Sequence, residues 1–313
     1  MSGHRSPAAS ALALQQAIGV DIGGTKIAVA VVLGSTVFEE MAFETPQTGI
    51  DDLVERVAAS LREVEGDIVG RAIGVCAPGL LDLPSGRIRV ATNVRGLSGS
   101  KLGALLAARL GAPVHVENDA NAAAYAEYRF GAGADLKSMF YLTVSTGIGG
   151  GFVTDGGVMR GSHGFAADVG HMTLDPDGPV CSCGERGCLE AFASGTAIAR
   201  EGERALGFPI SPHDVFARAR AGEAAAAAVV ESASDMLARG LANVSKILDP
   251  DGIVLGGGVA MEGEFFLAIV RKHLESYLTN YRPVPVRQAR LGRLAGAIGA
   301  AALAHDAVAS ARS

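Results

Sequence analysis

The sequence predicts a duplicated α/β protein in which two domains face one another across a cleft, and two observations support this. Residues 17–33 form two apolar β-type runs around a glycine-rich turn, and residues 139–154 repeat the same strand–turn–strand unit. Apolar residues at helical spacing lie between and after these units. Strands combined with amphipathic helices favour an α/β fold, and the repeated unit indicates duplication.

The composition excludes several classes of protein. Of the 313 residues, 49% are apolar and 19% are charged, which excludes a disordered chain, and the length suffices for two domains. A net charge of −6 provides no basic surface for a nucleic acid. No apolar run approaches the roughly 18–20 residues of a membrane span, and no export signal precedes the first strand. We therefore expect a cytoplasmic protein without nucleic-acid or membrane partners.

The first half is predicted to hold strands and two helices after a flexible leader at residues 1–16. Short apolar runs predict strands at 17–20, 27–33, 36–43, 71–76 and 113–117. Helical spacing predicts a helix at 51–65, with Leu53, Val54, Val57 and Leu61 on one face, and a second helix at 101–110.

The second half begins with an Ala-rich helix from residue 119 to about residue 130. Strands are predicted at 139–145 and 152–154, with the glycine-rich residues between them as a turn, and a buried strand at 253–255. A helical stretch at 213–248, interrupted near Gly222, should end at Asp249-Pro250, because proline cannot continue a helix. The last predicted element is a small-residue helix at 296–308.

The two glycine turns are candidate phosphate sites. Glycine lets backbone N–H groups converge on an anion, and a carboxylate at the end of the first strand can hold Mg²⁺. Each turn alone is typical of a hairpin, but the pair favours a nucleotide site. Neither a P-loop nor a dinucleotide-binding motif is present. Gly257 and Gly258, after the buried strand, fit a structural turn and an adenosine site equally well. The turn residues concerned are Asp21, Gly23, Gly24, Thr25, Lys26, Thr146 and Gly147.

The triplet Glu117-Asn118-Asp119 precedes the Ala-rich helix. Asn or Asp at that place is first of all a helix N-cap. The functional interpretation is a carboxylate that accepts a hydroxyl proton as the oxygen attacks phosphorus, since phosphoryl transfer needs little more than positioning and charge stabilisation.

His171, Cys181, Cys183 and Cys188 have the residue types and close spacing of a tetrahedral zinc site. Four protein ligands would close the site and make it structural. The alternatives are a disulfide or free thiols, and a disulfide is disfavoured in a chain without an export signal. The same loop places Asp168 and His171 near Glu190, so polar side chains that could bind a polyol lie beside the metal.

Together these stretches resemble the ROK family (repressors, open reading frames and sugar kinases), from Ile18 to about Ala302. The most specific part is Val144–Glu190, which holds the second glycine turn, Asp168-Val-Gly-His171 and the cysteine segment that ends at Glu190.

The resemblance implies an actin/hexokinase-like (ribonuclease H-like) fold with a cleft between two domains. The small domain would comprise residues 17–118 and 297–313, and the large domain, with the zinc loop, residues 119–296. It also implies ATP- and Mg²⁺-dependent phosphorylation of a hexose, commonly at the 6-hydroxyl, and a homodimer.

The resemblance also implies roles for single residues. Asp119 would be the catalytic base, and the phosphates of ATP would meet the two glycine turns. The sugar site would comprise Gly79, Asn93, Asn118, Asp168, His171 and Glu190.

One position departs from the family pattern: sugar kinases of the family usually have Glu-x-Gly-His where this chain has Asp168-Val169-Gly170-His171. The shorter aspartate could weaken a hydrogen bond to glucose, worth about 0.5–1.5 kcal/mol, or about 1.5–3 kcal/mol for a charged partner. Alternatively, the vacated space could admit the 2-acetamido group of N-acetylmannosamine or N-acetylglucosamine. We expect glucose as the commoner family substrate and ATP as the donor, with polyphosphate as an alternative.

The sequence disfavours two other classes of function. A sugar-responsive transcription regulator, the other branch of the family, needs an N-terminal DNA-binding domain, for which sixteen residues are too few. A non-catalytic sugar-binding protein would lack the cleft carboxylates, yet Asp21 and Asp119 are both present.

Overall fold

A computed structural model describes residues 16–66, 68, 70–91 and 93–312. Residues 1–15 of the predicted flexible leader lie outside them. The strands are β1 Ala17–Ile22, β2 Lys26–Leu33, β3 Thr36–Glu44, β4 Ala72–Ala77, β5 Leu81–Asp82, β6 Arg87–Ile88, β7 Val114–Asn118, β8 Ser138–Val144, β9 Ile148–Thr154, β10 Gly157–Val158, β11 Gly252–Gly256 and β12 Val286–Gln288. The α-helices are α1 Ile50–Glu65, α2 Leu102–Leu110, α3 Asp119–Phe130, α4 Leu189–Ala193, α5 Gly195–Leu206, α6 Pro212–Arg220, α7 Ala224–Leu248, α8 Gly257–Ala260, α9 Glu264–Tyr277 and α10 Ala295–Arg312.

Two five-stranded sheets have the same topology. The first has the order β3-β2-β1-β4-β7 and the second the order β10-β9-β8-β11-β12. In each sheet the first three strands of the chain pair antiparallel and the next two add in parallel. The predicted duplication of an α/β unit is thereby confirmed.

Helices α3 and α10 pack against each other, α10 on strands β1 and β4 of the first sheet and α3 on β8 and β9 of the second. Glycines permit this close approach. A Cβ on Gly19 or Gly74 would lie 1.8 or 1.9 Å from a carbonyl oxygen of α10, and one on Gly299 would lie 1.7 Å from a carbonyl oxygen of α3. Small residues are therefore required where the helices meet the sheets.

The segment Gly292–Ala311 has the length and hydropathy of a membrane span, so the prediction that no stretch approaches this is wrong. Its alanines and glycines raise the hydropathy, but 56% of its most apolar window is buried inside the protein. It is packed against β1, β4 and α3, as is typical of a core helix.

Most predicted helices follow the expected local signals. The apolar face of α1 is buried at Leu53, Val54, Val57 and Leu61. The predicted interruption near Gly222 separates α6 from α7, and α7 ends at Leu248 with Asp249, whose φ is 46°, as its C-cap.

The second glycine turn is shorter than predicted, because Gly149, Gly150 and Gly151 belong to β9. A Cβ on Gly151 would lie 2.7 Å from the Cβ of Ala124 in α3, and one on Gly149 would lie 3.1 Å from the Cβ of Ala120. These glycines let the helix lie on the strand, whereas the sequence pattern suggested a longer loop.

Candidate functional site

The carboxyl ends of three parallel strands bring the candidate acidic residues together. In the register of β1, β4 and β7, Asp21 pairs with Cys76, and Cys76 pairs with Glu117. Asn118 ends β7 and Asp119 begins α3 directly after it. Ligands of open α/β sheets bind at such strand ends. The predicted magnesium carboxylate and catalytic carboxylate therefore lie at one edge of the first sheet.

Asp21 is a carboxylate in a confined place. Cys76 Sγ donates a hydrogen bond to Asp21 Oδ1 at 3.5 Å, and a Cβ on Gly296 would lie 2.4 Å from Asp21 Oδ2. Burial, and after it the negative charge of Asp119, raises the pKa of Asp21 to about 7, while the Cys76 hydrogen bond opposes the rise. A bound cation would favour the ionised form, as the predicted magnesium site requires.

Asp119 accepts a hydrogen bond that holds its side chain in place. Its Oδ1 accepts the backbone N–H of Ala120 at 2.8 Å. Burial raises the pKa of Asp119, the Ala120 hydrogen bond opposes this, and the charge of Asp168 contributes further to the rise. A raised pKa makes a carboxylate a stronger base, which suits general-base catalysis.

Asn118 serves as the N-cap of α3, as one of the two predicted interpretations requires: its Oδ1 accepts the backbone N–H of Asn121 at 3.0 Å. Its Nδ2 donates to the carbonyl oxygen of Gly79 at 3.1 Å. Gly79 has a φ of 100°, and a Cβ there would lie 2.0 Å from a carbonyl oxygen. Asn93 lies against Gly24, where an added Cβ would come within 3.0 Å of the Asn93 Cβ. The structure thus joins Asn118 to Gly79, and Asn93 to the first glycine turn.

The first glycine turn is held from both sides. The backbone N–H of Gly23 donates to the Lys26 carbonyl oxygen at 2.9 Å, and Thr45 Oγ1 donates to the Gly23 carbonyl oxygen at 2.7 Å. Thr25 and Lys26 are exposed. The turn is therefore a fixed backbone loop with its tip open to a ligand.

The second glycine turn lies at the mouth of a cavity of about 520 Å³. The Ser145 N–H donates to the Gly147 carbonyl oxygen at 2.9 Å, and Thr146 is exposed. Of the two predicted adenosine glycines, Gly258 lines the cavity, whereas Gly257, with a φ of 83°, packs against the Val144 carbonyl oxygen. The other lining residues are Ser145, Thr146, Gly195, Thr196, Ala199, Pro212, His213, Phe216, Val259 and Glu262.

The cavity contains neither Asp21 nor Asp119. Its size and its apolar walls suit a nucleoside, and the exposed Thr146 turn is its border. The cavity is therefore separate from the carboxylates at the ends of the first sheet's strands.

The four predicted metal ligands converge. The donor atoms of His171, Cys181, Cys183 and Cys188 all lie within 4.8 Å of one another. Cys183 Sγ and Cys188 Sγ are 3.7 Å apart, and Cys181 Sγ is 3.6 Å from His171 Nδ1. A tetrahedral zinc ion with Zn–S distances of about 2.3 Å gives S–S edges of about 3.8 Å. All four cysteines are free in this structure, and the donor set fits zinc.

Glu190 lies between the metal-ligand loop and the second glycine turn. Its Oε2 accepts the backbone N–H of Ile148 at 2.9 Å and its Oε1 accepts the Ser182 hydroxyl at 2.9 Å. An added Cβ on Gly147 would lie 2.4 Å from Glu190 Oε2. One side chain therefore connects the loop of the candidate metal site to the turn.

Asp168 follows Ala167, whose φ of 66° is strained for a residue with a Cβ. Burial raises the pKa of Asp168, His171 opposes the rise, and the negative charge of Glu190 adds to it. The predicted grouping of Asp168, His171 and Glu190 is therefore present. The negative charge of Asp168 also raises the pKa of Asp119.

Sequence reasoning missed three contacts of the site: the Cys76–Asp21 hydrogen bond, the Thr45–Gly23 hydrogen bond and an ion pair between Glu117 and Arg160. Glu117 stood within the recognised triplet but had no assigned role. No local signal marks Cys76, Thr45 or Arg160, because their partners are distant in the chain.

Comparison with known proteins gives consistent matches. The family model of the ROK family matches residues 17–307. A glucokinase of Streptomyces coelicolor is 36% identical, with 92% of this chain and 97% of that protein covered. An N-acetylmannosamine kinase of Haemophilus influenzae is 34% identical, with 92% of this chain and 95% of that protein covered.

One solved structure with a similar fold contains bound ligands. The ROK family glucokinase of Streptomyces griseus in complex with glucose and AMPPNP has a TM-score of 0.81 to this chain and 35% identity. The match covers 93% of this chain and 100% of that one.

Proposed function

This chain belongs to the ROK family, and on that premise we propose that it is an ATP- and Mg²⁺-dependent kinase that phosphorylates the 6-hydroxyl of a hexose. The observation that supports this most is the position of Asp119. It lies at the strand ends beside Asp21, and its charge environment includes Asp168 from the loop that also holds His171. A base, a magnesium carboxylate and a polyol site then share one cleft.

In this proposal Asp119 accepts the proton of the 6-hydroxyl as its oxygen attacks the terminal phosphorus. The two glycine turns, with Gly23, Gly24, Thr25 and Lys26 in one and Thr146 and Gly147 in the other, would hold the phosphates through backbone N–H groups at their tips, while the N–H of Gly23 closes the first turn on the Lys26 carbonyl oxygen. Mg²⁺ near Asp21 would neutralise the developing charge on the phosphate oxygens. Asn93, Asn118, Asp168, His171 and Glu190, with the backbone at Gly79, would hold the sugar.

Glucose is the proposed substrate, because a glucokinase and a glucose complex are among the similar proteins. N-acetylmannosamine is the second candidate, supported by the similar N-acetylmannosamine kinase and by the short side chain of Asp168. N-acetylglucosamine is a further candidate, because the space beside the short Asp168 side chain could also admit its 2-acetamido group.

A coupled assay that follows ADP formation over glucose, mannose, N-acetylmannosamine and N-acetylglucosamine tests the function and ranks these sugars. Turnover of at least one of them supports the proposal. Absence of magnesium-dependent turnover with all four, with ATP and with polyphosphate as donor, contradicts it.

The cavity beside the second turn gives a prediction about the nucleotide. Gly258 lines this cavity, and a Cβ added there would have no neighbour closer than 4.0 Å. A variant with a larger side chain at this position should therefore still fold, and the side chain should fill the nucleoside space. We expect Gly258→Leu to raise KM for ATP by roughly tenfold or more, because steric exclusion removes apolar contacts. KM for the sugar should stay within about twofold. Equal KM values for ATP in the variant and the wild type would place the nucleoside elsewhere.

We propose that His171, Cys181, Cys183 and Cys188 hold a structural Zn²⁺. All four ligands would come from the protein, so the ion has no open position for catalysis and instead fixes the loop around His171 and Glu190. Zinc would thus act on sugar binding through the position of these side chains.

Cys183→Ser should lower both zinc content and sugar affinity, because the exposed Cys183 supplies one of the four ligand atoms. Metal analysis and calorimetry with the sugar measure the two effects. Cys76→Ser, at the one cysteine outside the cluster, is the control and should keep its zinc. Full zinc content with unchanged sugar affinity in Cys183→Ser would refute the coupling.

The remaining proposals concern organisation. We propose a small domain of residues 17–118 and 297–313 and a large domain of residues 119–296, a homodimer, and a cytoplasmic location. The separate apolar cores around each sheet support the division into domains. Light scattering of the purified protein tests the dimer.

A further inference from the structure

We propose that the ion pair between Glu117 and Arg160 positions the catalytic carboxylate and the sugar-binding loop relative to each other. The inference rests on the proposed function and assigns a task to two residues to which that function gives none. Glu117 lies in the first sheet, and Arg160 follows β10 of the second.

Glu117 fixes the strand–helix junction where Asp119 lies. Its side chain is 2% exposed. Its Oε1 accepts the backbone N–H of Asn118 at 3.0 Å and the Nδ2 group of Asn121 at 3.1 Å. These contacts link the end of β7 to the first turn of α3, on both sides of Asp119.

Arg160 binds the other oxygen of the same carboxylate. Its Nε donates to Glu117 Oε2 at 2.6 Å, and its side chain is 29% exposed. The Arg160 carbonyl oxygen accepts the N–H of Ala166 at 3.2 Å, which closes the loop that leads to Asp168. Burial lowers the pKa of the nearby His115, the negative charge of Glu117 opposes this, and the positive charge of Arg160 lowers the pKa further.

One buried carboxylate therefore contacts both parts of the site: the segment with the base and the loop with Asp168. Removal of either partner leaves the other without its counter-charge. Each single substitution should then release the same constraint, and a second substitution should add little. A misplacement of about 1 Å at reacting groups can cost on the order of 10²-fold in rate.

The test is a double-mutant cycle with Glu117→Gln, Arg160→Met and the double variant, with kcat and both KM values measured on the best substrate of the sugar panel. We expect each single variant to lower kcat/KM for the sugar by roughly tenfold or more, with a lower kcat and a higher sugar KM. KM for ATP should stay within about twofold. The double variant should be no worse than the worse single variant.

Glu127→Gln is the matched control. Glu127 is fully buried and accepts the backbone N–H groups of Ala132, Arg290 and Leu291 at 2.7–2.8 Å, outside the strand ends. Its substitution should lower the melting temperature but leave both KM values unchanged. This pattern is what a purely structural residue would show.

Two results would overturn the inference: folded single variants with kcat/KM within about twofold of the wild type, or single effects that multiply in the double variant. If Glu117→Gln does not fold, the comparison of Arg160→Met with Arg160→Lys tests the inference, because lysine keeps the positive charge. Partial recovery in Arg160→Lys supports the positioning role, and equal losses contradict it. A wild-type enzyme inactive on every sugar would instead overturn the proposed function, and this inference with it.

Discussion

Asp119→Asn should lower kcat by roughly 10²–10⁴-fold while the protein still binds its sugar. Asparagine has nearly the same shape as aspartate and can still accept the N–H of Ala120, which now donates to Asp119 Oδ1 at 2.8 Å. It cannot accept the proton of the attacking hydroxyl. The loss should therefore appear in kcat, and calorimetry should give a sugar affinity close to that of the wild type.

Asp135→Asn is the control for this variant. Asp135 is an exposed carboxylate paired with Arg287, and it precedes β8 at the end of that strand opposite the second turn. Its substitution removes a negative charge without touching the strand-end site, and turnover should stay within about twofold. Asp119→Asn with turnover within about threefold of the wild type would show that general-base catalysis is assigned to the wrong residue.

Asp21→Asn should abolish most magnesium-dependent turnover and yet stabilise the ligand-free protein at pH 8. Burial and the charge of Asp119 raise the pKa of Asp21 from 3.8 to about 7. Above pH 7 the folded protein must therefore hold an unfavourable charge that the unfolded chain accommodates in water. Asparagine carries no such charge, so folding no longer includes this cost.

The sign of the pH dependence follows from proton uptake. Between about pH 4 and pH 7 the folded state retains a proton that the unfolded state has released, so the stability contributed by Asp21 falls as pH rises through this window. The pKa of Asp21 is higher by about three in the folded protein than in the unfolded chain, which corresponds to at most roughly 4 kcal/mol of lost stability. We expect Asp21→Asn to gain about 1–4 kcal/mol at pH 8 and nothing near pH 4.

Urea unfolding in the presence of a chelator at both pH values measures this difference. Asp82→Asn, at an exposed hairpin where Ser85 contacts the carboxylate, is the control and should show no comparable gain. If Asp21→Asn is no more stable than the wild type at pH 8, the ionised Asp21 carboxylate does not destabilise the folded protein. Retained magnesium-dependent turnover contradicts its proposed role.

The sequence was most informative where the partners are close in the chain. His171 and the three cysteines lie within eighteen residues, so spacing alone could predict that their donor atoms converge. The hairpins β1–β2 and β8–β9 were similarly local, and their repetition predicted the two equivalent sheets.

Contacts between distant segments could not be predicted in the same way. Glu117 and Arg160 are 43 residues apart, and Cys76 is 55 residues from Asp21. Both contacts depend on how strands and loops are placed by the whole fold. The glycines at 149–151 were predicted as turn residues for a related reason, since the need for them comes from the approach of α3 to Gly149 and Gly151 and of the Ala167 carbonyl oxygen to Gly150.

The most direct test is a crystal structure with the preferred hexose, Mg²⁺ and a non-hydrolysable ATP analogue. We expect a carboxylate oxygen of Asp119 within about 2.6–3.2 Å of the sugar 6-hydroxyl, with the terminal phosphorus in line beyond it and its oxygens near the two glycine turns. A 6-hydroxyl directed away from Asp119, with another side chain at hydrogen-bond distance, would contradict it.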